Sequence, residues 1–241
     1  MTSRAEVLGA LSGVRDPELD EPITDLAFVS EVEIEDGAVS VRLRLPTYFC
    51  APNFAYLMVA DARAAVLSVP GIREARVVLG DHYASGEING GVNEERGFDG
   101  AFPDDTESPD LDELRNTFRR KSFIARQEKL CRALLAKGHT PAELAKMRLE
   151  EVSPSEAFEK YLERRVELGL DVSMKAPLIV DPDGKRVPKE AVVQHLRFAR
   201  TVRVSIEGNA EVCRGLLATR YGIPSSEEVV PHESSATVPI R

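Results

Sequence analysis

Residues 27–58 read AFVSEVEIEDGAVSVRLRLPTYFCAPNFAYLM, and their apolar spacing changes part-way from every second residue to the period of about 3.6 that marks a helix. Phe28 to Ile34 and Val39 to Leu45 alternate apolar with polar, so each presents one face to a core. Asp36-Gly37 between them suits the positive φ angles of a two-residue hairpin turn. From Asn53 to Ser68 the residues Phe54, Leu57, Met58, Ala65 and Val66 fall on or near one helical face. Upstream, Val7, Leu8 and Leu11 stand at helical spacing and the run stops at Gly13. Downstream, Pro70-Gly71 ends the helix and Ala75 to Leu79 forms a third strand. The order α, β, β, α, β predicts an α/β (α+β) fold, a small two-layer αββαβ domain over residues 1–80 with its helices packed on a mixed sheet.

Residues 81–108 are rich in Gly, Asp, Glu and Asn, show no apolar period, and are expected to form a linker or long surface loop. A mainly helical region is expected over residues 109–223. Its first helix ends at Gly138, Thr140-Pro141-Ala142-Glu143 is a capping box, and a second helix spans Ser155 to Leu168. APLIVDPDGKRVP offers a short strand and a turn, and two helices, Lys189 to Arg200 and Asn209 to Tyr221, close the folded part. Residues 224–241 are expected to be a tail.

The 241 residues are 43% hydrophobic, ample for a buried core, and carry a net charge of -9. Residues 1–99 hold 8 Arg and no Lys against 17 acidic residues, whereas the remainder is balanced at 23 against 23. An acidic surface repels phosphate backbones, which argues against nucleic acid and favours a basic protein surface or simple solubility. No apolar run reaches the ~18 residues of a membrane span, and MTSRAEVLGALSG has no secretory pattern. The expected location is therefore the cytoplasm, away from membranes.

Cys50, Cys131 and Cys213 are odd in number, widely spaced and without a CxxC pair, so neither a disulfide framework nor a closed zinc site is written here. Cys131 and Cys213 lie on apolar helical stripes and read as core positions. Cys50 instead stands where a strand hands over to a helix, whose unpaired N–H groups favour an anion such as a thiolate. On position alone, packing is the commoner reason for a lone cysteine. Asp16, Glu18 and Asp25 lie in the loop ahead of the hairpin and at its entry to the first strand. They suit a mixed ligand set for iron or, the commoner role for such residues, the bracing of that loop. No histidine pair, phosphate loop, GxGxxG or GxSxG is present.

Asp16-Pro17-Glu18, Ile23-Thr24-Asp25-Leu26, the Asp36-Gly37 turn, Pro46-Thr47-Tyr48, the lone Cys50 and Pro70-Gly71 occur in an order and spacing that resembles the SufT and PaaD-like family of metal-sulfur cluster assembly factors. The likeness covers about residues 4–80. It implies a role in maturing iron-sulfur or iron-dependent proteins, with Cys50 as a transient ligand of iron or an iron-sulfur cluster and with Asp16, Glu18, Asp25 and Thr47 supporting its loop. The form PTYFCAPNF with a helical extension looks most like members that accompany diiron monooxygenases. The resemblance therefore implies an accessory factor, not an enzyme, with a client oxygenase or iron-sulfur protein as partner. One thiol does not saturate a cluster, which commonly takes four cysteines, so a homodimer bridging the cargo is a further expectation. Alternatives are a structural assembly chaperone without metal chemistry and an enzyme using Cys50 as nucleophile with His82 as base.

Overall fold

A computed structural model describes residues 2–103 and 110–223; the expected tail, 224–241, and residues 104–108 of the expected linker lie outside the described residues. The first unit runs α1 (Arg4–Leu11), β1 (Val29–Glu35), β2 (Ala38–Leu43), α2 (Pro52–Leu67) and β3 (Glu74–Leu79), the αββαβ order expected. A capping box starts α1, with Ser3 and Glu6 each accepting from the other's backbone N–H. β1 pairs antiparallel with β2, and β2 pairs parallel with β3. At the hairpin Asp36 and Gly37 take φ values of 45° and 81°, which is why Asp-Gly stands there. Val39, Val41 and Leu43 of β2 and Val77 and Leu79 of β3 share a core with Val59 and Val66 of α2.

The expected linker is, in its described part, mostly helical: α3 (Ser85–Asn93) and α4 (Gly97–Ala101) bury Ile88, Val92 and Ala101 in the same core. The cause lies at the sheet edge. Asn89 accepts from Leu79 N at 2.8 Å and donates to Leu79 O at 3.0 Å, and Asn93 does the same for Val77 at 3.0 and 2.7 Å. Two amides one helical turn apart thus satisfy the outer edge of β3, which would otherwise be open to another strand. Gly91 allows the close approach of α4, since a Cβ there would lie 2.6 Å from Ala101 Cβ. What reads in the sequence as loop composition is therefore an edge cap and a packing contact.

The helical region comprises α5 (Leu111–Ala136), α6 (Pro141–Leu144), α7 (Glu156–Glu167) and α8 (Val192–Tyr221). Its own core gathers Phe123, Cys131, Leu149, Tyr161, Leu178 and Val192. The strand expected in APLIV makes only isolated bridges, Arg148 with Pro177 and Val180 with Arg186. A second correction concerns α8, which is one helix of 30 residues where two were expected. Gly208 costs about 1 kcal/mol inside a helix, yet the helix is held on both sides of it. Val192 lies in the second core, and Ala210 and Leu217 lie in the first.

The two cores are joined by charge as well as by α8. The Asp20 carboxylate accepts from Arg126 Nε at 2.6 Å and Nη2 at 2.9 Å, and from Arg164 Nη2. These side chains are only 8–9% exposed. Burial alone would raise the Asp20 pKa, but hydrogen bonds and charge from Arg126 and Arg164 hold it below the usual carboxylate range. Around this cluster Arg115 forks onto Asp61 of α2, and Phe118 meets Phe54 edge-on at 4.9 Å.

Asp20 has φ 55°, a conformation asparagine tolerates, so Asp20→Asn removes the charge without straining the backbone. It removes the shared buried partner of two guanidinium groups, leaving Arg126 to the more exposed Glu163 and Arg164 to Glu167, and is expected to cost about 3 kcal/mol, the low end for a broken buried pair, in urea unfolding at neutral pH. A loss below about 1 kcal/mol, the value of an exposed pair, would mean that the cores dock without it.

Candidate functional site

β2 ends at Leu43 and α2 begins at Pro52; the residues between them carry the thiol. Cys50 is half-buried and stands directly before Ala51, the N-cap of α2, with Pro52 at the first helical position where no N–H is needed. Thr47 Oγ1 accepts from Phe49 N at 3.2 Å and lies 3.2 Å from the Cys50 sulfur, so the threonine shapes the loop and holds the thiol. The loop is stapled to the turn after β3: Tyr83 N donates to Tyr48 O at 3.2 Å, and His82 Nε2 lies 2.7 Å from Cys50 O. Ala84 N donates to His82 Nδ1 at 3.2 Å. Nδ1 is therefore the acceptor nitrogen and Nε2 carries the proton given to Cys50 O. Both ring nitrogens are thus committed to backbone. His82 positions the loop and is not a base for the thiol.

Tyr48, Phe49 and Tyr83 surround the thiol loop with exposed rings, 5.0 to 6.3 Å apart between centroids, and Phe49 is 76% exposed. Large apolar side chains left in solvent beside a thiol are a ready contact for a protein partner.

Asp16 is buried, and its Oδ1 accepts from Glu18 N and Leu19 N, both at 2.9 Å. It braces the loop, the role such an Asp-Pro turn commonly has. Burial pushes its carboxyl up to about 6, against the pull of those two N–H groups. Glu18 accepts from Asn209 of α8 at 3.2 Å. Asp25 is exposed, accepts from Thr24 at 3.1 Å, and faces the cleft between the loop and the C-terminal helices along with Arg15, Lys129 and Arg203.

Cys213 was expected to be a core residue and is only half-buried. Its thiol is pushed up to about 11 by burial and then by the negative groups Asp16, Cys50 and Glu18, with Arg214 acting the other way. The helical stripe was read correctly, but what it packs on, the core of the first domain, has no signature in the sequence. Cys131 is fully buried, and its thiol is pushed up to about 12, as a packed cysteine should be. Among the described residues no three His, Cys, Asp or Glu side chains are grouped to hold a metal ion. An iron or cluster cargo would need further ligands from outside this set.

Residues 4–79 match the family model described as an iron-sulfur cluster assembly protein. An uncharacterised protein of Methanocaldococcus jannaschii is 31% identical over 90 residues, covering 37% of this chain and 93% of that relative. The chain belongs to the iron-sulfur cluster assembly protein family. An iron-sulfur cluster carrier protein of Deinococcus radiodurans is 32% identical over 74 residues, which is 31% of this chain and 21% of the carrier. The matched segment of that carrier is thus about a fifth of its length. In this family member the matched domain contains Asp16, Glu18, Asp25, Thr47 and Cys50, and the match ends at β3, before the helices that bring Cys213. No helix among the described residues is long and apolar enough to cross a membrane.

The folded pKa of Asp16 lies above its unfolded value of 3.8, so its neutral form favours folding fully below that value, and the benefit is lost as pH rises through about 6. Asp16→Asn offers the same oxygen to the two N–H groups with no charge to bury. It is expected to melt above wild type at about pH 7.5, by the equivalent of about 2–3 kcal/mol, with the advantage gone near pH 4. A difference in melting temperature that stays flat across this range would show that Asp16 carries no buried-charge penalty.

Proposed function

We propose that the chain is an accessory factor for assembly of iron-sulfur clusters or iron centres in a client enzyme, and that Cys50 is a transient ligand of that cargo. The observation that carries this reading is the placement of a half-buried thiol at the start of α2, held by Thr47 and ringed by exposed aromatic side chains. Family membership supports the assembly role. The amino-terminal domain presents the cargo, while the helical region, outside the family match, docks the client. On the resemblance of PTYFCAPNF and its extension, that client is a component of a multicomponent diiron monooxygenase in the cytoplasm.

A ligand thiol must lose its proton to bind metal. Delivery is then ligand exchange without a change of oxidation state: an acceptor thiol gives up its proton as its sulfur binds iron, the iron–sulfur bond to Cys50 breaks, and the leaving Cys50 thiolate takes up that proton. Ligands beyond this thiol come from the donor, the client or a second copy of the chain. Use of Cys50 as a nucleophile is disfavoured by His82, whose two nitrogens are already engaged with backbone.

Anaerobic loading with iron and sulfide compares wild type with Cys50→Ala. Iron and sulfide content are expected to fall at least about 10-fold in the variant, and maturation of the oxygenase component to fall with them. Equal loading of both proteins would end the ligand role of Cys50; normal client maturation alongside it would favour a docking chaperone.

A further inference from the structure

α8 buries Val192 in the second core and Ala210 and Leu217 in the first, and its opposite face looks outward. The solvent face of a helix ordinarily carries charge. Here Thr201, Val204, Gly208, Val212, Gly215 and Thr219, at steps of three or four residues, form an exposed seam with no charge in it. Val204 and Val212, with Phe198 and Leu216 at the side of the seam, are 44–62% exposed. The two glycines serve no packing within the chain: a Cβ at Gly208 or Gly215 would meet nothing within 4 Å. Each nonetheless weakens the helix relative to alanine. Bare backbone on an outward seam allows another helix to approach closely.

The edges of the seam are complementary to themselves. Arg197 and Arg200 lie on one edge, and Glu207 and Glu211 follow on the same edge, all four exposed. The ion pairs of α8 draw on Arg203 and Arg214 as cations; among the described residues Arg197 and Arg200 make none. The other edge is uncharged, with Phe198 in its first half and Leu216 in its second. When two copies of a helix pack antiparallel each edge meets its own copy, whereas parallel packing sets each against the opposite edge. Antiparallel packing about Val204 therefore places Arg197 against Glu211 and Arg200 against Glu207, twice over, and brings Phe198 within one turn of Val212. Parallel packing would set all four charges against an uncharged edge.

We propose that a second copy of this chain covers the outer face of α8, as a two-fold antiparallel helix pair centred on Val204. The pairing does not depend on iron as cargo. It does fix where the thiols lie. Arg220 grips Leu45 and Asp81 at the thiol loop, and at about 1.5 Å per residue from Val204 the two loops stand roughly 50 Å apart along the paired helices. This pair does not bring two Cys50 thiols to one cluster, so each copy presents its own Cys50, and further ligands come from the donor or the client.

Sedimentation equilibrium of the full chain under reducing conditions, from about 1 to about 300 µM, tests the pairing. One helix pair is at the small end of interfaces, so a Kd on the order of 10 µM is expected for wild type. Val204→Lys places two like charges on the two-fold axis. Arg197→Glu sets a carboxylate against Glu211, and Glu211→Arg sets a guanidinium against Arg197. Each of the three is expected to weaken the dimer at least about 10-fold. Gly208→Leu has free space within the chain, so it should keep the thermal melt of the dilute monomer while losing the dimer. A 1:1 mixture of the Arg197→Glu and Glu211→Arg chains should recover association that neither shows alone, because opposite charges then meet at both ends. A wild type that stays monomeric at the highest concentration overturns the proposal and leaves the face to a helix of the client. A wild-type dimer that Val204→Lys, Gly208→Leu and the charge variants all leave intact overturns it as well, by placing the interface elsewhere.

Discussion

The Asp20 carboxylate, buried between Arg126 and Arg164, is the contact on which the arrangement of the two cores depends. A buried ion pair is a weak source of net stability, because desolvation offsets most of the attraction, but breaking one is expensive. Arg126 and Arg164 also pair with Glu163 and Glu167 of their own region, and Asp20 is the carboxylate that ties both to the first domain. The contact therefore acts on specificity more than on stability. Its pH dependence follows from the lowered Asp20 pKa: the contribution is present above the ordinary carboxylate value and fades as pH falls through the folded one. Asp20 is four residues from Asp16 and two from Glu18, so the same pair also sets the loop that Asn209 of α8 meets through Glu18.

α8 carries that constraint to the thiol. At about 1.5 Å per residue, 30 residues span both cores, and Arg220 near its end grips the carbonyls of Leu45 and Asp81. His82 and Tyr83 tie the same turn to Cys50 and Tyr48. Movement of the helical region on a partner would thus reach the thiol loop through hydrogen bonds, not only through apolar contact.

The parts legible in the sequence are those whose signal is local. Asp36-Gly37 fixes a hairpin turn by backbone conformation alone, and the Thr140–Glu143 capping box forms as read because both partners lie within one turn. Signals that depend on distant neighbours were misread. Asn89 and Asn93 look like loop residues until β3 is beside them, and residues 201–208 look like a gap between two helices until both sides of α8 are pinned. The loop carrying Cys50 was legible from motifs, as was the bracing side of Asp16. Cys213 was legible only as a stripe residue, since a helical period states which face is buried and not what it is buried against.

The charge asymmetry has the same lesson with a functional turn. The acidic first 99 residues suggested a basic partner, and part of that partner is the chain's own helical region: Arg126 and Arg164 answer Asp20, Arg115 answers Asp61, and Arg214 answers Glu21. Such pairing removes those carboxylates from the pool available to an external cation. Asp16 is left out of it, held by backbone N–H groups instead.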